Sequence, residues 1–246
     1  MTRSMLVWAA LLSVACGGAQ AAEPSSGATS AGGEEPIEDH PMRTTIPVPV
    51  PQPAVARDDL SEPLRQFWTS IEETVAIRPP EGPAEASSEA VQAWADGPFA
   101  EWIARRREAM GEAVGISEQI ADEPPYERGV AAALLGYALE DFVFDVRGSP
   151  VPADIAADAE LLAIYVSSLQ EALRPLAEEA VGSYAYCQQR FLPLGDDSEW
   201  LPWRAYCVQR GREMIEVFQL VPAQQEGGED APEGEAEAEA EGEPSS

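Results

Sequence analysis

Lysine and asparagine are absent from this 246-residue chain. Without lysine there is no Schiff-base nucleophile and no phosphate-loop cation; without asparagine there is no N-glycosylation sequon. Histidine occurs once, as His40, in a stretch that reads as linker. A Ser-His-Asp triad, a Cys-His pair and a histidine-ligated zinc site are therefore excluded from the folded part in their usual forms. No Gly-rich phosphate loop or EF-hand pattern is present, and no metal or cofactor is expected. Positive charge is scarce as well: 15 arginines face 44 acids, for a net charge of −29. A surface of that sign repels nucleic-acid phosphates and anionic lipid headgroups. Nucleic acid is thus not an expected partner, and attachment to a membrane needs another device. Long apolar runs are lacking too. The run Met5–Ala15 has 11 residues, short of the roughly 20 that a spanning helix needs.

That run is informative for another reason. It follows Met1-Thr2-Arg3-Ser4, and one positive charge ahead of a short apolar stretch is a signal-peptide pattern. Two processing sites compete. Ser13-Val14-Ala15-Cys16, followed by Gly17-Gly18, resembles the lipobox of bacterial lipoproteins, in which small residues precede a cysteine that is lipidated and becomes the mature N-terminus. The resemblance covers this segment alone, and it departs from the family at Ser13, where leucine is favoured. It implies a signal peptide over residues 1–15 and a lipid on Cys16. With Gly17 in place of aspartate it also implies the outer membrane of a two-membrane cell. The second site, Ala19-Gln20-Ala21, suits ordinary signal peptidase. Cleavage there removes residues 1–21 and gives a soluble periplasmic or secreted protein.

Residues 16–58 read as a Gly/Ser/Pro-rich tether. Its first part cannot bury enough apolar surface to offset chain entropy. Its second part, Ile46-Pro47-Val48-Pro49-Val50-Pro51-Gln52-Pro53, favours polyproline II and reads as a stiff stand-off arm. Residues 223–246 read as a disordered acidic tail, with nine acids and no base from Glu226 onward. Counting the tether through Asp59 leaves 28 acids and 12 arginines for one domain over residues 59–222. A chain of that length buries a core without a metal.

The domain reads as all-α, a bundle or array of about six helices paired as hairpins. Leu60, Leu64, Phe67, Trp68, Ile71 and Val75 form one stripe at helical spacing. A second region starts at Ser87-Ser88, is interrupted at Gly97-Pro98 and reaches Val114, with Phe99, Trp102, Ile103, Met110 and Val114 as its expected face. A third, Tyr126 to Val146, is apolar over more than one face and should be central. A fourth runs from Pro152 to Leu173, and Pro175 kinks or divides it from a fifth that ends near Leu192. A sixth runs from Glu199 to Leu220, with Pro202 tolerated in its first turn. No stretch alternates at period two, so no sheet is expected. Leu135-Gly136 resembles one fragment of the tetratricopeptide repeat, but the other signature positions do not follow.

Both processing schemes leave Cys187 and Cys207 in the domain. In an oxidising compartment they should pair across an antiparallel hairpin, contributing roughly 3 kcal/mol for a loop of about 20 residues. Carboxylates are the remaining catalytic candidates. Glu140, Asp141 and Asp145 lie within two turns, with Arg147 nearby, and two carboxylates can serve as acid and base in glycan hydrolysis; the alternative is a solvated acidic edge. Arg105-Arg106-Arg107 offers an acidic partner a cationic patch, or pairs within its own helix. Asp196-Asp197-Ser198-Glu199 offers weak calcium ligands, or caps the last helix. Tyr184, Tyr186, Phe191, Trp200, Trp203 and Tyr206 surround the cysteines, either as a stacking platform for glycan or peptide or as a small core. Two functions follow. One is a lipid-anchored envelope protein whose helical module binds an envelope protein without catalysis. The other is a carboxylate-dependent enzyme acting on cell-wall glycan or peptide.

Overall fold

The computed structural model describes residues 48–195 and 198–220. Cys16, His40, Asp196, Asp197, the signal segment and the acidic tail lie outside them. The described residues are all-helical, without a strand: α1 (Glu62–Ala76), α2 (Ser88–Trp94), α3 (Ala100–Ser117), α4 (Pro125–Arg147), the single turn α5 (Ala153–Ala156), α6 (Ala159–Phe191) and α7 (Leu201–Phe218). Six of these exceed one turn, the number expected, although the expected second region is two of them and the expected fourth and fifth are one.

Local chemistry sets the ends. The Ser61 hydroxyl accepts the Leu64 amide at the start of α1, and Ser87 accepts the Ala90 amide at the start of α2. Each satisfies a donor that the first turn leaves orphaned. The α1 stripe Leu64, Phe67, Trp68, Ile71 and Val75 is buried as its spacing requires. At Gly97 the backbone leaves helical geometry, and a π-turn over Ala95–Phe99 redirects the chain from α2 into α3. The buried face of α3 is Trp102, Arg106, Met110 and Ala113. It is rotated from the expected one, leaving Ile103 and Val114 half-buried. The rotation brings Arg106 inward, to a carboxylate described below.

Helix α4 is central, and its buried residues surround its whole circumference. It packs on α6 and α1; α6 also packs on α7, and α1 on α3. Two glycines seven residues apart let α4 and α6 approach. A Cβ on Gly136 would lie 2.8 Å from the Tyr184 ring, and one on Gly129 would lie 2.6 Å from the Phe191 ring.

Two expectations are corrected here. Pro175 does not divide the chain: α6 is one 33-residue helix with Pro175 inside it. Proline forfeits one backbone bond, but Leu173, Leu176, Ala177 and Ala180 beside it are buried and hold both halves against the core. Asp158 caps the start of the helix, its side chain accepting the amides of Glu160 and Leu161, and Pro152 leads only into α5. The tether boundary also moves. Residues 48–58, expected to stand off, lie against the domain: Val50, Ala54 and Val55 pack on its core.

Candidate functional site

The three carboxylates of α4 do not share a cleft. Consecutive helical residues point about 100° apart, so Glu140 and Asp141 enter different networks. Glu140 faces α6 and α7. The Tyr184 hydroxyl donates to its Oε2 at 2.6 Å, Arg210 Nε donates to the same oxygen at 3.2 Å, and Arg210 Nη2 pairs with Oε1. Arg210 Nη1 also pairs with Glu213, one turn along α7. Asp141 faces α3 and the end of α1. Arg106 Nη2 donates to its Oδ2 at 2.5 Å and Arg78 Nη1 to its Oδ1 at 3.0 Å. Arg106 Nη1 closes the network on the Thr74 carbonyl.

Glu140, Asp141, Arg106 and Arg210 are all at least 98% buried. The solvated acidic edge is thus corrected to a pair of ion-pair networks within the core. Burial selects this arrangement because a lone charge there is prohibitive and a hydrogen-bonded pair is not. Arg106 likewise leaves the cationic triplet for the interior, where it pairs with another helix and not its own.

Asp145, one turn beyond Asp141, is the exception. Its Oδ2 lies 3.7 Å from Arg78 Nη1 and accepts no hydrogen bond. Burial, and then the neighbouring Asp141 charge, push its carboxyl up to about 6, against the pull of Arg78 and Arg106. Tyr137, beside the same group, is raised by burial and by Asp141.

Cys187 on α6 and Cys207 on α7 are disulfide-bonded, with their Cα atoms 6.3 Å apart. Around them Tyr184, Phe191, Trp200, Trp203 and Tyr206 are buried, and Tyr186 is half-buried. Trp203 meets Trp68 edge to face at 5.6 Å, and Trp200 stacks on Tyr126 at 4.4 Å. These rings are core, not an open stacking platform.

Two of these rings also hold the proline-rich segment, a role that sequence reasoning missed. Trp203 Nε1 donates to the Gln52 carbonyl and the Tyr206 hydroxyl to the Val48 carbonyl, each at 3.0 Å. Extended proline-rich backbone has unpaired carbonyls and docks readily on aromatic donors. The signal was the coincidence of such a run with an aromatic-rich helix about 150 residues away, which no local pattern connects.

A groove of about 390 Å³ is lined by Phe67, Leu135, Tyr186, Arg128 and Glu179, with the Glu179 carboxyl raised by burial. The first half of α6, before Leu173, contains no buried residue. On it Leu161 and Ile164 are 47% and 57% exposed. Among the described residues no group of three acids, histidines or cysteines could hold a metal ion, and no helix is long and apolar enough to cross a membrane. No family model, curated protein or solved structure matches this chain.

Proposed function

We propose that this is an exported cell-envelope protein, lipid-anchored at Cys16, whose helical domain binds another envelope protein without catalysis. The carrying observation is the fate of the carboxylates. Glu140 and Asp141, which an acid-base enzyme would need free, are neutralised in the core by Arg210 and Arg106. The exposed Leu161 and Ile164, on a helix half with no buried residue of its own, supply an interaction face. The leader and the lipobox-like segment supply the address, and the lipoprotein resemblance, with Gly17 in place of aspartate, favours the outer membrane of a two-membrane cell. Processing at Ala21 instead would give a soluble periplasmic or secreted form of the same module.

The test is site-specific photo-crosslinking in intact envelopes, with the probe at Ile164 or, as control, at the exposed Glu85 of the loop between α1 and α2. One defined product at Ile164 and none at Glu85 is expected. Identical, diffuse products at both positions would remove the interaction reading. Intact mass of the membrane-extracted protein tests the anchor separately: a mature chain beginning at acylated Cys16 is expected, and an unmodified Ala22 start would overturn it.

The rival enzymatic reading keeps one supporting observation, the Asp145 carboxyl beside Arg78 with its raised proton affinity. It requires Asp145→Ala to abolish an envelope phenotype that the deletion strain shows.

A further inference from the structure

Residues 48–53 lie on α7 in a way that leaves several of their own side chains to solvent. Val48 is 41% exposed, and Pro49 and Gln52 are exposed as well, while Val50 packs on the core. Two hydrogen bonds hold the segment, and both go to its backbone: Trp203 Nε1 donates to the Gln52 carbonyl and the Tyr206 hydroxyl to the Val48 carbonyl. Such contacts read an extended main chain and not the side chains that this particular segment carries. Proline at alternate positions supplies what they require, a preformed extended chain whose carbonyls have no partner of their own.

The rings that hold the segment are themselves fixed by other contacts. Trp203 and Tyr206 stand one turn apart on the same side of α7. Trp68 braces Trp203 and Tyr184 braces Tyr206, edge to face in both cases, and Cys207 ties this part of α7 to α6. Arg57, just past the segment, pairs with Glu72 and lies over the Trp68 ring, so detachment of residues 48–56 leaves α1 seated. Residues 46–56 carry no charge, in a chain of net charge −29. An uncharged peptide of the same kind therefore reaches this acidic domain without being repelled.

We propose that the Trp203–Tyr206 face of α7 is a recognition site for an uncharged, proline-rich extended peptide of a partner protein, and that residues 48–53 are a tethered ligand which keeps the site closed until such a peptide displaces them. Ile164 lies roughly 35 Å along α6 from Cys187, so peptide binding at α7 and crosslinking at Ile164 fail or succeed independently.

The test uses the full chain and a labelled synthetic peptide of residues 46–54, with binding read by fluorescence anisotropy. The tethered competitor is released by Pro49→Gly, Pro51→Gly and Pro53→Gly together, which remove its preformed extended conformation. The peptide should bind this variant at least about ten-fold more tightly than the wild type, because a ligand on the same chain competes at high effective concentration. Tyr206→Phe in the released chain removes one donor and should weaken binding about five-fold, the share of one neutral hydrogen bond. A peptide with alanine in place of Val48 and Gln52 should bind as well as the original, and one with alanine in place of its prolines at least about ten-fold more weakly. No binding by either chain would overturn the proposal, as would equal affinity for both chains or for peptides with and without proline. Wild-type dimers that are lost in the glycine variant would make the occupant a second copy's segment and overturn the foreign partner. If Tyr206→Phe does not fold, the comparison of the two chains and the proline-free peptide decide.

Discussion

At the scale of single residues, a charge in this core depends on its partner more than on its own identity. Glu140 accepts from Tyr184 and from two nitrogens of Arg210. Removing its charge leaves the buried guanidinium with Glu213 alone, and breaking such a pair costs up to about 3–5 kcal/mol. Glu140→Gln should therefore lose up to that much in urea unfolding, whereas Glu140→Leu combined with Arg210→Met should lose much less, because the only charge it leaves without its partner, on Glu213, reaches solvent. Asp145 makes the opposite case, a carboxylate that the fold disfavours. Asp141, Arg78, Arg106 and Tyr137 surround it, and its folded value of about 6 exceeds the ordinary 3.8. The folded state then holds the proton more tightly than the unfolded one. The stability this provides is complete below about pH 4 and is lost as pH rises through 6. Asp145→Asn stays neutral throughout. Its midpoint should match that of the wild type at pH 3.5 and exceed it above pH 7, by about 1–3 kcal/mol. An advantage independent of pH would mean that Asp145 does not titrate in this window.

At the scale of elements, the helices were legible wherever one face was apolar and its ends were marked. The α1 stripe, the Ser87 cap, the Gly97 interruption and the centrality of α4 all follow from residues within a few turns of each other. What could not be read is decided by partners distant in sequence. Asp141 on α4 turns Arg106 inward from a helix 35 residues away, and α7 fixes the extended segment Val48–Gln52. The disulfide is an intermediate case, since Cys187 and Cys207 are separated by only 20 residues and one hairpin. Pro175 belongs with the misreadings, because proline is a sound stop signal that packing overrode. Its ring is exposed, so the site makes no use of it that alanine would forfeit. Pro175→Ala restores the missing amide donor and should raise stability by about 1–3 kcal/mol, given the cost of proline inside a helix. A loss instead would show that α6 needs a bend there to follow α4.

For the whole molecule the governing quantity is the excess of acid. Nine of the 44 acids lie in the tail, and many of the rest lie on helix surfaces. The exposed ion pairs among them, Arg57–Glu72, Arg65–Glu62 and Arg174–Glu171, contribute little each, about 0–1 kcal/mol. Salt weakens these pairs, but it weakens the mutual repulsion of the unpaired carboxylates as well, and those are far more numerous. The buried networks around Glu140 and Asp141 are out of reach of the ionic atmosphere and should not respond. Going from 10 to 150 mM sodium chloride shortens the screening length from about 30 to about 8 Å, inside the spacing of neighbouring surface acids. Relief of repulsion therefore outweighs the weakening of attraction, and the thermal midpoint at pH 7.5 should rise by about 2–8 °C, the equivalent of 1–2 kcal/mol for a domain of this size. Potassium chloride should do the same, since screening does not distinguish the cations. At pH 4, where most surface carboxylates are protonated, the effect should shrink toward zero. A midpoint that falls with salt at pH 7.5 would mean that the few exposed arginine pairs outweigh the acidic surface they sit in.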